Sequence, residues 1–354
     1  MSDRPPPDDR PQLPGRQQLI LRAVVERHIA TGAPVGSKHI AGGDGLDFAS
    51  STVRYELARL EDLGYLNHPH TSAGRVPTDK GYRYYVDTLP PADPLVAANP
   101  AIRNALDLGE MRKEVDAALQ RLAEVVSQVT NLLGVVTAPA PQTAKIRHVE
   151  VLLLQPQLVM VVVITSTGAV NKRIVAFENP VDVGVADWAK DFLNERVIGL
   201  SAGARMIEAR IAEPGLGHRE QAFLDAIGPA VTELGVESAE SLYVGGRARF
   251  VSDRRQVDLA AIDSLMEQLE ERYTLLALLR GALGRHEVYL RIGQELAGPQ
   301  LNGLSMVAAN YGVARQNLGT VSLFGPMCMD YRLAIGTVRE AAFALSRFLE
   351  GVYE

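Results

Sequence analysis

The first 90 residues alternate short apolar stripes with Gly and Pro stops, and the stripes fall at helical spacing. In RQQLILRAVVERHIAT, residues 16–31, Ile20 and Val24 share one stripe with Leu21, Val25 and Ile29 beside it. Gly32 and Pro34 end this amphipathic helix. A short second piece starts at Ser37, a candidate N-cap, and stops at Gly42-Gly43. In the third, ASSTVRYELARLEDLG, Val53, Leu57, Leu60 and Leu63 fall on one buried face before Gly64 terminates it. Tyr65-Leu66, a turn at Ser72-Ala73-Gly74 and a return through Val76 read as a hairpin, and Thr78 caps a last helix reaching Asp87. Three helices followed by a hairpin predict a winged helix-turn-helix domain over residues 16–89.

Farther along, Pro90, Pro91, Pro94 and Pro100 mark residues 90–104 as a linker. Residues 110–133 predict a long helix with Val115, Leu119, Leu122, Val126, Val129 and Leu133 alternating by four and three, which suits a helix on a sheet or a helix–helix seam. KIRHVEVLLLQP and LVMVVVITSTGAVNKRIVAFE read as strands, with turns at Pro156-Gln157 and Thr167-Gly168. DVGVADWAKDFLNERVIG and ARMIEARIAE return to helical spacing. The stretch 203–283 is mostly helical apart from a strand-like pair, SLYVGG and RARFV. VYLRIGQEL, LSMVAANYG and NLGTVSLFGP predict three more strands, and an amphipathic helix runs to Leu349. Strands on both sides of a helical block predict an α+β fold whose sheet is interrupted by an insertion.

A chain of 354 residues is long for one core, which favours two or three domains. The longest apolar run, Val151 to Ile164, is broken by Gln155, Pro156 and Gln157, so no membrane span is expected. The opening MSDRPPPDDRPQLPG carries no apolar stretch; residues 1–15 are expected to be a disordered tail and not a secretory signal. A single cysteine, Cys328, cannot form an internal disulfide, and a cytoplasmic location is expected. The net charge of −6 disfavours nucleic acid as a partner unless a local patch serves it. Residues 16–88 hold nine Lys/Arg against eight Asp/Glu, so clustering has to do what net charge does not.

The helix from Ser50 carries the sharpest chemistry. With Val53, Leu57 and Leu60 inward, Ser51, Tyr55, Ala58 and Asp62 point outward, flanked by Arg54 and Arg59. Small, hydroxylated and guanidinium side chains near a helix N-terminus suit the major groove, where Arg bonds guanine O6 and N7; a solvated face is the competing reading. His68 and His70 lack a third ligand at zinc spacing, and a wing fits the segment better: Thr71, Ser72 and backbone amides would bond phosphates, with Arg75 supplying charge. Lys80, Arg83, Tyr82 and Tyr84 extend that character into the next helix. No GxSxG, HExxH, CxxC or GxxxxGK occurs, so no enzyme, cofactor or metal is expected.

The stretches APVGSKHIA, STVRYELARLEDLGYL and especially PHTSAGRVPTDKGYRYYVD resemble the HrcA family of heat-inducible transcription repressors. LYVGG, IGQEL, LSMVAANYG and GTVSLFGP followed by MDY resemble that family's later blocks, so the likeness covers nearly everything after residue 15. The resemblance implies a homodimer of three parts: a winged helix, a GAF-like sensor domain in pieces at 105–215 and 283–354, and a dimerising insertion at 216–282. It implies repression of groE- and dnaK-type chaperone operons through an inverted-repeat operator, CIRCE, in double-stranded DNA, with the GroEL chaperonin keeping the repressor active until heat stress. The DNA contacts would fall to Ser37, Lys38, Ser50, Ser51, Thr52, Arg54, Tyr55, Arg59, His70, Thr71, Ser72, Arg75, Lys80 and Arg83. Dimerisation would fall to Leu265, Leu269, Tyr273 and Leu276. Tyr55 stands where the family usually has Asn, which can pair bidentately with adenine as Tyr cannot; Ala49 stands where Ser is frequent, and Pro-Met-Cys-Met at 326–329 replaces Pro-Thr-Arg-Met. Two other classes fit the same features: a small-molecule-responsive regulator using the GAF-like domain, and a protein-binding adaptor.

Overall fold

The computed structural model describes residues 13–42, 48–69, 74–90, 100–105, 115–138, 145–165, 170–200, 204–212, 216–237, 242–252, 263–267, 288–296, 301–313 and 316–353. Its N-terminal unit consists of α1 (Gly15–Thr31), α2 (Ser37–Ile40), α3 (Ser50–Asp62), the strands β1 (Leu66–Asn67) and β2 (Val76–Pro77), and α4 (Asp79–Asp87). The stripes read from the sequence are the ones buried: Ile20, Leu21, Val24 and Val25 on α1 meet Val53, Leu57 and Leu60 on α3. Leu63 is the exception, lying exposed beyond the end of the helix. β1 and β2 pair antiparallel, and Val35 bridges Arg75 to widen the ribbon. Gly74 makes that approach possible, because a Cβ there would lie 2.3 Å from the Val35 carbonyl carbon. Thr78 caps α4 as expected, accepting from the Gly81 amide.

The remainder is built around a five-stranded antiparallel sheet in the order β7-β3-β10-β9-β8, comprising β3 (Leu133–Thr137), β7 (Leu242–Gly245), β8 (Val288–Ile292), β9 (Leu304–Val313) and β10 (Gln316–Pro326). Helices α5 (Pro100–Ala105), α6 (Val115–Thr130) and α11 (Tyr331–Tyr353) cover one face. On the other, Phe250 of α10 (Arg247–Ser252) and Leu265 close over Leu133, Val135, Met306 and Phe324. In chain order, the segment between β3 and β7 forms a separate three-stranded meander, β4 (Ile146–Gln155), β5 (Leu158–Thr165) and β6 (Val170–Ala176). Helices α7 (Val183–Val197), α8 (Ala204–Ile211) and α9 (His218–Glu237) pack on its inner face around Val149, Val161, Val163, Phe192, Leu193 and Ile227.

The α+β character matches the sequence reading, but several boundaries are corrected. Strands 146–176 do not join the sheet of 288–326. They pair with each other in tight hairpins and bury a core of their own, so the interruption begins soon after Thr137, far upstream of residue 216. The expected helix 110–133 ends at Thr130; Asn131 takes φ 57°, and Leu133 already belongs to β3. β3 is buried on both faces, which gives an unbroken apolar run that reads like a continuing helix. SLYVGG contributes β7, which pairs with β3, while RARFV is helical. Part of the expected 90–104 linker is helix α5, which starts at Pro100 and sinks Ile102 completely into the core. Leu13, assigned to the tail, is buried as well.

Candidate nucleic-acid interface

α3 has one apolar face fixed by Val53, Leu57 and Leu60, and its opposite face is therefore committed to solvent. Ser51, Arg54, Tyr55, Ala58 and Arg59 are exposed there, Tyr55 at 63% of its surface, and Thr52 is half-buried. Among the described residues, neither Arg54 nor Arg59 holds an intramolecular hydrogen bond or ion pair, which leaves both guanidinium groups available to an external acceptor. Ala49 precedes the helix and supplies no side-chain cap, so the first-turn amides of α3 have no side-chain acceptor from it. The start of α2 meets the start of α3 where the Ser37 and Ser50 hydroxyls stand 3.4 Å apart, with Lys38 exposed beside them. Hydroxyls, free amides and a cation at converging helix starts form a patch suited to phosphate.

The hairpin expected to serve as a wing is built less simply than its sequence implies. Arg75 Nε lies 2.7 Å from a Glu61 carboxylate oxygen, so much of its charge is compensated within the unit. Lys80 donates to the Leu63 carbonyl at 2.8 Å and sits 4.3 Å above the Tyr65 ring, closing the C-terminal end of α3. His70, Thr71 and Ser72 lie outside the described residues.

Arg83 is the clearest correction among the expected DNA contacts. It turns inward, bonding both oxygens of Glu295 and the Leu290 carbonyl, with Asp87 3.8 Å away. Two acids and a carbonyl around one guanidinium compensate its charge and occupy three of its five N–H donors, which makes it a poor phosphate contact. Tyr82 also points inward, where burial raises its pKa above the ordinary range and its oxygen lies 2.7 Å from His28 Nδ1. Burial in turn lowers the pKa of His28. Helix α4, basic and aromatic in sequence, is therefore mostly a docking helix. Sequence reasoning missed Glu61 and Glu295; IGQEL, which holds Glu295, was recognisable as a motif but not as an acceptor for Arg83.

Leu265, expected at a dimer contact, is fully buried against its own chain's five-stranded sheet, because the unpaired face of that sheet needs a cover. Leu269, Tyr273 and Leu276 lie outside the described residues. The outer face of the three-stranded sheet carries one apolar row instead, next to a row that includes Glu150 and Lys172. Leu152, Met160 and Ile174 stand in register across β4, β5 and β6, with Leu154 and Val170 also exposed. Among the described residues, no group of three or more His, Cys, Asp or Glu is placed to hold a metal ion, and no helix is long and apolar enough to cross a membrane.

A family model described as the HrcA protein C terminal domain matches residues 116–335. The heat-inducible transcription repressor HrcA of Mycobacterium sp. (strain KMS) is 35% identical over 346 residues, covering 94% of this chain and 97% of that protein. The protein of the same name from Nocardioides sp. (strain ATCC BAA-499 / JS614) is 36% identical over 344 residues, covering 95% of this chain and 98% of its own. A crystal structure of a hypothetical protein aligns with a TM-score of 0.65 at 21% identity, over 96% of this chain and 100% of the other, and so shares its fold.

Proposed function

Since the chain belongs to the HrcA family of heat-inducible transcription repressors, we propose that it binds an inverted-repeat operator of the CIRCE type as a homodimer, with α3 as the recognition helix of a winged helix-turn-helix. The observation that carries this reading is the outward face of α3, where Arg54 and Arg59 stand exposed beside Ser51 and Tyr55. Such a face offers guanidinium forks for guanine and a small-residue path into the major groove. In place of the Asn common in the family, Tyr55 presents a ring and one hydroxyl, a set suited to a thymine methyl or a phosphate and not to bidentate adenine pairing. Operator genes would be chaperone operons of the groE and dnaK type, with repression maintained by GroEL and lost on heat stress.

The dimer would form on the outer face of the three-stranded sheet, where exposed Leu152 and Ile174 flank half-buried Met160 in an apolar row. Five residues of the expected DNA set, Ser37, Lys38, Ser50, Ser51 and Thr52, would hold phosphates around the starts of α2 and α3. Arg75 and the 70–72 segment would follow the flanking backbone. The deciding experiment is a footprint on an inverted-repeat duplex with wild type and Arg54→Ala. The variant should lose about 1–3 kcal/mol of operator binding and relax preference at one base pair. Unchanged operator affinity would remove α3 from the role of reader.

A further inference from the structure

The N-terminal unit is fastened to the body by contacts that reach three separate elements. Arg83, midway along α4, donates through Nε to one Glu295 oxygen at 2.7 Å, and through a terminal nitrogen to the other oxygen and to the Leu290 carbonyl at 3.1 Å. Glu295 is itself held, because one of its oxygens accepts from the Ile292 amide at 3.1 Å. At the start of α4, Asp79 accepts from the Gln294 amide at 2.9 Å. That approach needs Gly293: its φ is +52°, and a Cβ there would lie 2.2 Å from Asp79 Oδ2. The Tyr82 ring then packs 6.0 Å from the ring of Tyr331 at the start of α11, and Arg332 lies 3.3 Å from Glu26 on α1. A forked Arg–carboxylate pair fixes direction as well as distance, and attachments at β8, the 293–295 turn and α11 leave no axis free for rotation.

We propose that the Arg83–Glu295 clamp is a positioning device for operator choice: it holds the recognition helix at a set angle to the body, and so fixes the half-site spacing that a dimer accepts, without touching DNA. This rests on the dimeric, inverted-repeat reading above. Each added base pair moves a half-site by about 3.4 Å and turns it by about 35° around the duplex. A rigid joint lets both recognition helices engage at one spacing only. A loose joint engages across many, since the gain from the second contact requires only that the geometry permit it. Arg83 thus contributes specificity through orientation, while Arg54 and its neighbours contribute it through contact.

The test measures affinity for duplexes bearing one half-site, and for inverted repeats whose spacer is stepped through one helical turn. Wild type is compared with Arg83→Met, Glu295→Gln and the double variant. Wild type should lose at least about tenfold in affinity half a turn from its best spacer, and each variant should reduce that penalty to about threefold or less while binding a single half-site within about twofold of wild type. The double variant should flatten the profile no further than either single change, because both remove one interaction. An unchanged spacing profile in either variant overturns the clamp, and so does a matching loss of half-site affinity with Arg83→Met, which would put Arg83 on the DNA. Spin labels at Ala58→Cys and Arg347→Cys, in a Cys328→Ala background diluted with unlabelled protein, read the joint without DNA. The distance distribution should be narrow in the parent and broad in both clamp variants, and an equally narrow one in the variants also overturns the proposal. Failure of wild type to prefer any inverted repeat would sink the dimeric, inverted-repeat reading instead, and the spin-label distances would still decide the clamp.

Discussion

Glu61 is exposed enough to meet solvent yet lies 2.7 Å from Arg75, so the β1–β2 hairpin is held against its own counter-charge. Removing that carboxylate should make Arg75 a full cation at the flanking backbone. Glu61→Gln is therefore expected to tighten binding to every duplex, specific or not, and to steepen the dependence of log affinity on log salt by about one unit. Titrations of two unrelated sequences at several salt concentrations check this, and a gain confined to the operator would mean that Arg75 reads bases. His28 gives a second residue-level expectation. Its pKa is lowered by burial, so folding favours the neutral imidazole. The stability tied to it is complete above the ordinary histidine value of about 6.5 and is lost as pH falls below that toward the lowered folded value. Thermal melts between neutral and mildly acid pH should show a falling midpoint for wild type. His28→Gln, which keeps a partner for the Tyr82 hydroxyl, should flatten that slope.

Among the elements, those with a clean period of burial or with turn residues at both ends were legible, β9 and β10 included, whereas β3, buried on both faces and running straight on from a helix, was not. α1 and α3 each turn one stripe inward, and Ile20, Val24, Val53, Leu57 and Leu60 were found at the spacing that buries them. β3 has no polar face to mark it as a strand, and its Leu133 completed a helical stripe in the sequence. β7 is assigned by a partner more than a hundred residues upstream, Gly245 opposite Gly134, a pairing that no local pattern announces. The candidate site divides in the same way. Exposure of Arg54 and Tyr55 follows from the helix period alone, whereas the inward turn of Arg83 depends on a carboxylate 212 positions away. The narrow β1–β2 ribbon yields an element-level prediction: Gly74→Ala sets a methyl against Val35 and breaks the bridge to Arg75. All duplexes should then bind more weakly while the recognition pattern in a footprint is kept, and a changed pattern with full affinity would show that the ribbon shapes α3 instead.

For the whole molecule, the decisive surface is the uncovered row on the three-stranded sheet. Ile174, 58% exposed at its edge strand, can be changed to Asp without touching the core on the inner face. Ile174→Asp should sediment as a monomer and lose roughly 10²–10⁴ in operator affinity, the avidity lost with the second contact, while keeping weak, salt-sensitive binding to any duplex. A variant that stays dimeric would move the interface to another face. The shared core has a different implication, for the time at which the protein becomes competent. Leu13, the α1–α3 stripes, Tyr82 and the α11 residues Val338, Leu345 and Leu349 belong to one continuous cluster. On the ribosome, residues 13–87 emerge early, but Tyr82 waits for Tyr331 and Arg83 for Glu295. A half-made chain therefore carries α3 with no fixed bearing, and on the reading proposed above only translation of α11 would turn it into a repressor restricted to one arrangement of sites.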